Sequence, residues 1–397
     1  MAKDVKEKDY LKVQSKIKYF IFLCLYYLLF PFGKLLYGQK NKWLICELGD
    51  DAQDNGYYFL KYLSDKHPEI TTYYLIKKDS PDYIKVCSIT KVVEFGSFKH
   101  FLMAISCRVK ISSHLFGYAP WIQMMTFYRR NKTKGVHVFL QHGITKNYQK
   151  GFLAENCKSL SLFVCGAKPE YSYIESEFGY KNDVVQYTGF PRYDSLNNVN
   201  LERKQILVFP TWRRFLDGLT DGEFKTTQFF CNWNSIVNNP EIINICKANR
   251  INIKFCLHPS VQKYKKCFDS NDITSIVDVN EQDIQTLLNE SALLVTDFSS
   301  VFFDFAYLKK PVIYFQFDEL DYYQMHYDKG YFDYRRDGFG PVFVNVEETI
   351  SYIKEAIANN FQLDRKYSNR IASNFIYNDK NNCSRVFERI NYLLNKH

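Results

Sequence analysis

The sequence predicts an α/β protein of two successive lobes facing a central cleft, and three observations carry that reading. From Lys42 onward, short β-rich runs alternate with amphipathic stretches, as in βα units around a mostly parallel sheet. After the polar run Asn197 to Lys204 the series restarts with a new strand at Gln205. At 397 residues, 46% apolar and 17% aromatic, the chain exceeds what one hydrophobic core serves and holds ample material for two. The expected organisation is a basic, hydrophobic segment 1–40, a first lobe 41–200 and a second lobe 201–397 that ends in a helical tail.

The amino-terminal segment contains YFIFLCLYYLLFPF, Tyr19 to Phe32, with Lys12, Lys16 and Lys18 before it and Lys34 after it. A run of 14 residues falls short of the ~20 that span a bilayer, and no small-residue cleavage site follows. Tyr26, Tyr27 and the lysines suit the headgroup level of a membrane, and six lysines against Asp4, Glu7 and Asp9 in the first eighteen residues favour an anionic leaflet. The reading is peripheral or monotopic attachment. The alternatives are a helix docked on the protein's own body, or a tilted spanning helix continued through Tyr37.

In the first lobe, strands are expected near Trp43–Cys46, Thr72–Ile76, Val92–Phe95, Val109–Ser112, Val136–Gln141, Leu162–Cys165 and Val184–Thr188. Helices are expected at Gly56–Lys66, Lys99–Ile105 and Glu170–Phe178. The second lobe repeats the scheme with strands at Gln205–Phe209, Lys254–Leu257, Ser275–Asp278, Leu293–Thr296 and Val312–Phe315. Its helices fall at Phe229–Asn238, Val261–Phe268, Asp283–Asn289 and Val301–Leu308. From Glu347 the chain turns helical, with Ile350, Ile353 and Ile357 on one face and Val386, Ile390 and Leu393 on another.

Composition narrows the chemistry. Eleven cysteines, scattered singly without a CxxC pair, read as reduced core thiols of the cytosol and give no metal site. A net charge of +9 spread along the chain favours phosphorylated or acidic partners. No nucleic-acid motif is present, so no nucleic-acid partner is expected. Walker, GxGxxG, GxSxG and HExxH patterns are missing, which counts against kinase, dehydrogenase, α/β-hydrolase and zincin chemistry.

Ligands of open α/β sheets bind beyond the carboxyl ends of strands, so polar residues directly after a strand carry weight. In FLQHGITKN, His142 and Gly143 follow a strand. An imidazole there is suited to take a proton, Gly143 permits close backbone approach, and Lys146 is suited to phosphate. The ordinary alternative is a capping or core histidine. In FCLHP, His258 precedes Pro259 at a strand-to-helix turn and is suited to steady anionic oxygen, or else simply to hydrogen-bond the turn. In LLVTDFSS, Thr296, Ser299 and Ser300 are expected at a helix N-terminus where a pyrophosphate would be favoured, although capping alone explains one hydroxyl. Asp297 and Asp304 read as supporting residues. Arg213 and Arg214, in FPTWRR, offer bidentate phosphate contacts. The segment Tyr331 to Pro341, glycine-punctuated and aromatic, reads as a substrate-covering loop.

On these residues the chain resembles the CDP-glycerol glycerophosphotransferase family of teichoic-acid primases and polymerases. The shared pattern is the HG of His142 and Gly143, the HP of His258 and Pro259, the TDxSS block with its FD helix from Thr296 to Asp304, KKP, and the FDY of Phe332 to Tyr334. The first motif departs from the commonest HGT form by reading HGI, with Thr145 displaced. The resemblance implies a GT-B fold with the CDP-activated donor in the second lobe and the acceptor entering from the first. His142 is then the base for the acceptor hydroxyl, while His258, Thr296, Ser299 and Ser300 stabilise the donor pyrophosphate.

It further implies transfer of glycerol phosphate, or a related polyol phosphate, from CDP-glycerol or another CDP-polyol to a polyprenyl-linked or glycan acceptor. CMP is released at the cytoplasmic face of the cell membrane, in teichoic-acid or capsule synthesis. No cofactor is required on this reading, although Mg2+ is compatible with it. The rival readings are a GT-B glycosyltransferase that uses a sugar nucleotide and a non-catalytic membrane scaffold.

Overall fold

A computed structural model describes residues 2–149, 153, 157–181, 183–197, 204–278, 282–325 and 328–396, with side chains from Lys16 onward. The polar join between the lobes falls mostly outside these residues.

The chain opens with helix α1 (Ala2–Tyr37), longer than the apolar run that marks it. The first lobe continues with β1 (Lys42–Cys46), α2 (Asn55–Lys66), β2 (Thr71–Ile76), α3 (Tyr83–Cys87), β3 (Lys91–Glu94), α4 (Phe98–Ser106), β4 (Val109–Ser112), α5 (Ile122–Arg130), β5 (Val136–Phe139), β6 (Leu162–Cys165), α6 (Lys168–Glu177) and β7 (Val185–Tyr187). A 3₁₀ turn at Pro191–Ser195 closes it. The strands form one sheet in the order β3-β2-β1-β4-β5-β6-β7, every pairing parallel.

The second lobe holds β8 (Gln205–Phe209), α7 (Asp221–Lys225), α8 (Gln228–Val237), α9 (Pro240–Ala248), β9 (Asn252–Cys256), β10 (Thr274–Val277), α10 (Ile284–Glu290), β11 (Ser291–Thr296), α11 (Val301–Tyr307), β12 (Val312–Phe315), α12 (Glu319–Met325), α13 (Tyr334–Asp337) and β13 (Val342–Phe343). Its sheet runs β10-β9-β8-β11-β12-β13, again parallel throughout. The stretch expected as a helix after His258 is a 3₁₀ helix, Pro259–Cys267.

In each sheet the strand order reverses once, between β1 and β4 and between β8 and β11. A crevice opens at such a reversal because successive connections leave on opposite faces of the sheet, and there ligands of open α/β sheets sit. Both crevices face the interlobe cleft.

The tail forms α14 (Val346–Ala358), α15 (Arg365–Asn374) and α16 (Asn382–Lys396). Helix α16 returns to the first lobe: Val386, Ile390 and Leu393 join the cluster built on Trp43, Val136 and Tyr193. The Asp194 carboxylate accepts the Asn382 and Cys383 backbone N–H groups at 3.0 and 2.8 Å, capping the helix from the closing 3₁₀ turn. One apolar cluster thereby joins residues of both lobes.

Helix α1 lies against α4 and α5. Phe22 and Tyr26 are buried on Phe127, with ring centroids 5.6 and 4.8 Å away. Gly33 lets the helix approach α4 so closely that a Cβ there would stand 2.8 Å from the Ser106 hydroxyl. Its other face, with Ile17, Phe20, Ile21, Leu28, Phe32 and Leu35, is exposed. The stretch Lys16–Tyr37, 22 residues, is long and apolar enough to cross a membrane by length and composition.

Candidate functional site

A cavity of about 320 Å³ lies at the meeting of the two crevices. The first lobe contributes Glu47 and Asp51 after β1, Asp54 at the start of α2, His114 after β4, His142 after β5 and Arg192 from the closing turn; the second contributes Phe209, Ser299, Ser300 and Asp304.

His142 and His114 stack with ring centroids 4.7 Å apart and planes only 7° from parallel. The His142 side chain lines the cavity and is exposed within it. Poor solvation there, and then the positive charge of Arg192, pull its pKa down to about 4. His114 is lowered to about 3, by burial and then by His142, and its Nδ1 has no hydrogen-bond partner. Both rings are therefore neutral at pH 7, and neutral imidazole is the form that accepts a proton.

The backbone that aims His142 is held from beneath. Gln141 occupies left-handed space at φ 60°, unusual outside glycine. Its side chain donates to the Val164 carbonyl at 2.7 Å and to Glu170 at 3.0 Å. Glu170, fully buried, also accepts the Thr145 and Gly166 backbone N–H groups at 2.6 and 2.7 Å. Burial outweighs these bonds and raises its pKa to about 7. Thr145 returns its hydroxyl to Gln141 at 2.8 Å, so the threonine displaced in HGIT braces the loop instead of facing ligand.

Across the cavity, a Cβ on Gly143 would stand 2.9 Å from the Ser300 hydroxyl. Ser300 begins α11 without spending its side chain on a cap, and the Ser299 hydroxyl accepts the Val301 N–H at 3.3 Å. A buried cation bridges the lobes beside them. Arg192 donates to both Asp304 oxygens at 2.7 and 2.9 Å and to Asp54 at 2.7 Å. Burial opposes its charge, and Asp304 and then Asp54 more than restore it. Burial pushes the Asp54 carboxyl up to about 6 in spite of Arg192. Glu47 is raised as well, by burial, Asp54 and Asp51, while it accepts the Gln53, Asp54 and Tyr57 N–H groups. Among the described residues no group of three or more His, Cys, Asp or Glu is placed to hold a metal ion.

The sequence model of the CDP-Glycerol:Poly(glycerophosphate) glycerophosphotransferase family matches residues 34–392. The chain belongs to that family. GgaB, a minor teichoic acid biosynthesis protein of Bacillus subtilis (strain 168), is 34% identical over 367 residues, covering 89% of this chain and 40% of GgaB. A teichoic acid poly(glycerol phosphate) polymerase of the same organism is 25% identical over 362 residues, 82% of this chain and 45% of the polymerase. The chain thus spans under half the length of either relative. In three dimensions it matches the wall teichoic acid polymerase TagF with a TM-score of 0.70 at 15% identity, covering 97% of this chain and 98% of that one. The fold is the expected GT-B type, and the resemblance to glycerophosphotransferases drawn from the motifs is borne out.

The glycerophosphotransferase motifs do not all converge on the cavity. His142, Ser299, Ser300 and Asp304 line it, and Gly143 abuts Ser300. Thr296 does not face it: the side chain is fully buried and its hydroxyl donates to the Phe209 carbonyl at 2.5 Å, tying β11 to β8. Arg213 is likewise corrected. It is wholly buried and donates to Asp318 at 2.7 and 2.9 Å, to Asp297 at 2.8 Å and to the Thr211 carbonyl at 2.7 Å, bonds that hold it inside the second lobe. Asp297 organises the same turn by accepting the Thr211 N–H. Arg214 is exposed and outside the cavity lining.

His258, also outside the lining, stacks on Trp212 at 6.3 Å, and its Nδ1 accepts the Ser260 N–H at 3.2 Å, which is the turn-holding alternative. Lys146 is buried beside the Tyr334 ring, its pKa lowered to about 8 by burial against the opposing pull of Asp297. The segment read as a covering loop is packed: Phe332, Tyr334 and Phe339 are buried against Phe302.

Arg192, Asp54 and His114 escaped the sequence reading. For His114 a signal existed, since SH follows the strand Val109–Ser112 much as LQH follows β5. For Arg192 there was none, because its partners lie 112 and 138 positions away.

Proposed function

We propose that the chain transfers glycerol phosphate, or a related polyol phosphate, from a CDP-activated donor to a lipid-linked or glycan acceptor in teichoic-acid or capsule-type polymer synthesis. The observation that carries the reading is the neutral His142, stacked on His114 and standing across the cavity from Ser299 and Ser300. The relatives' names, and a TagF structure soaked with CDPG, support the donor class.

In the step we propose, the acceptor hydroxyl oxygen attacks the distal phosphorus of the donor. The bond from that phosphorus to the CMP oxygen breaks, and CMP leaves. The hydroxyl proton passes to His142, which works as general base. Ser299 and Ser300 donate to phosphate oxygens, and Arg192, clasped by Asp54 and Asp304, holds the two lobes in position across the reacting groups. No metal is required in this step, and Mg2+ serves as an added arm of the test. Helix α1 attaches the enzyme to the cytoplasmic face of the cell membrane, where a polyprenyl-linked acceptor is confined; its 22-residue apolar stretch and exposed apolar face support that placement.

Calorimetric titration of the detergent-purified protein with CDP-glycerol, CDP-ribitol, UDP-glucose and CMP-sialic acid, with and without Mg2+, tests the reading. Selective CDP-polyol binding is expected. Preference for a sugar nucleotide would keep the fold and overturn the reaction, and no binding would leave a scaffold.

A further inference from the structure

A second cavity, larger than the one in the cleft, lies away from it. It measures about 1000 Å³ and opens at the opposite edge of the first sheet. Its walls come from residues just ahead of strands: Arg108 before β4, Gly135 before β5, Ser161 before β6 and Val184 before β7. His114 and His142 follow β4 and β5. Because the strands are parallel, the two cavities sit at opposite strand ends, separated by at least the ~13 Å of a four-residue strand.

Seven cations line it: Lys34, Arg108, Lys132, Lys134, Lys158, Lys181 and Lys396. The first six form no ion pair with a carboxylate among the described residues, and the Arg108 Nε is buried without a partner. Asp183, an acid on the wall, faces Arg389 at 3.6 Å and Lys396 at 3.7 Å instead. Like charges around one concavity repel, and low-dielectric walls focus their field on whatever anion enters. The rim also touches the amino-terminal helix. Lys34 belongs to α1, one residue or two from the exposed side chains of Phe32, Leu35 and Leu36. An occupant that satisfies both features carries phosphate at one end and hydrocarbon at the other.

We propose that this basic cavity seats the phosphate headgroup of an anionic phospholipid whose acyl chains lie along the exposed face of α1. The proposal rests on the reading of α1 as a membrane attachment and adds to it a defined headgroup site.

The test is co-sedimentation of the full chain with phosphatidylcholine vesicles and with vesicles containing phosphatidylglycerol, for wild type and for K132A/K134A/K158A. These three lysines are exposed, so the fold should tolerate their loss. Wild type should prefer the anionic vesicles. The triple variant should lose roughly a hundredfold of that preference, on the order of fivefold per lysine, while it binds phosphatidylcholine as wild type does. Should the triple variant fail to fold, K134A and K181A singly should each lose roughly fivefold.

Equal binding of wild type to both vesicles, or full preference in the variants, overturns the headgroup site and leaves the attachment of α1 standing. Binding to neither vesicle overturns the attachment itself. Soluble poly(glycerol phosphate) that binds wild type saturably, depends on the same lysines and leaves vesicle binding unchanged would make this a polymer site and overturn the lipid assignment.

Discussion

At the scale of single residues, the depressed pKa of His142 has kinetic consequences. A base must be unprotonated to act, and in the free protein His142 titrates at about 4. The acidic limb of kcat/KM, which reports free enzyme, should therefore fall near pH 4 and not near the ~6.5 of an ordinary imidazole. Bound donor brings negative phosphate charge beside the ring and favours its protonated form, so the limb of kcat should lie higher. Coincident limbs at 6.5 would mean that His142 is not the titrating base. His142→Ala should lower kcat by roughly 10²–10⁴-fold and leave CDP-glycerol affinity nearly unchanged, as read by calorimetry. His114→Ala leaves room for water beside His142, which relieves its desolvation, and should move the kcat/KM limb upward; a drop in rate with an unmoved limb would make His114 a packing residue only. The two histidines also mark how far the sequence could be read. His142 stood out through its glycine and its strand, whereas His114 lacked a glycine and passed unnoticed. Thr296 and Arg213 were over-read for the opposite reason: they have phosphate-binding chemistry, but a carbonyl and two buried carboxylates inside their own lobe claim their donors.

At the scale of elements, all the strands that the sequence suggested form, because buried parallel strands are near-continuous apolar runs that a reader can see. The short β13 and helices α3, α5, α7, α9, α12 and α13 were not anticipated. For α9 the signals were present, with Asn239 as cap, Pro240 at the first position and Glu241 in the first turn. Helix α1 was legible as an element but not in orientation, since a run apolar on every side does not say which face docks. The structure divides it. Phe22 and Tyr26 face the body, while Phe20, Leu28 and Leu35 face out. Truncating an inward aromatic removes buried area and leaves a cavity, so Phe22→Ala should cost about 3–5 kcal/mol in thermal or chemical unfolding. Replacing Phe20, Leu28 and Leu35 with glutamine should leave that stability nearly unchanged and abolish vesicle binding. If the outward triple change destabilises as much as Phe22→Ala, the outer face is covered by protein and the attachment reading falls.

At the scale of the whole molecule, the lobes are joined by more than the chain connecting them. Helix α16 crosses back to the first lobe, one apolar cluster includes residues of both, and Arg192 is clasped by Asp54 from the first lobe and Asp304 from the second. The tail was readable as helical, but nothing in its apolar period reveals which lobe it covers; that is decided by Asp194 capping α16 from a distant turn. The arginine clasp was illegible because a buried ion pair is set by tertiary approach and not by spacing. Its energetics yield a prediction with a definite sign. Arg192→Met keeps much of the side-chain volume and removes the charge, so Asp54 and Asp304 are left as buried acids without a cation. Removing one partner of a buried pair costs about 3–5 kcal/mol, and Arg192→Met should be destabilised to that degree at pH 7. Asp54 sits at about 6 even with the arginine beside it, and the loss of that charge raises it further. A folded-state pKa above the unfolded ~3.9 means that the native state holds its proton longer, so stability is present at low pH and lost as pH rises through that window. The penalty of Arg192→Met relative to wild type should therefore shrink between pH 7 and pH 5 in thermal denaturation. A penalty of the same size at both pH values would assign the loss to packing around Arg192 instead of to its charge, and the clasp would no longer explain how the lobes are held.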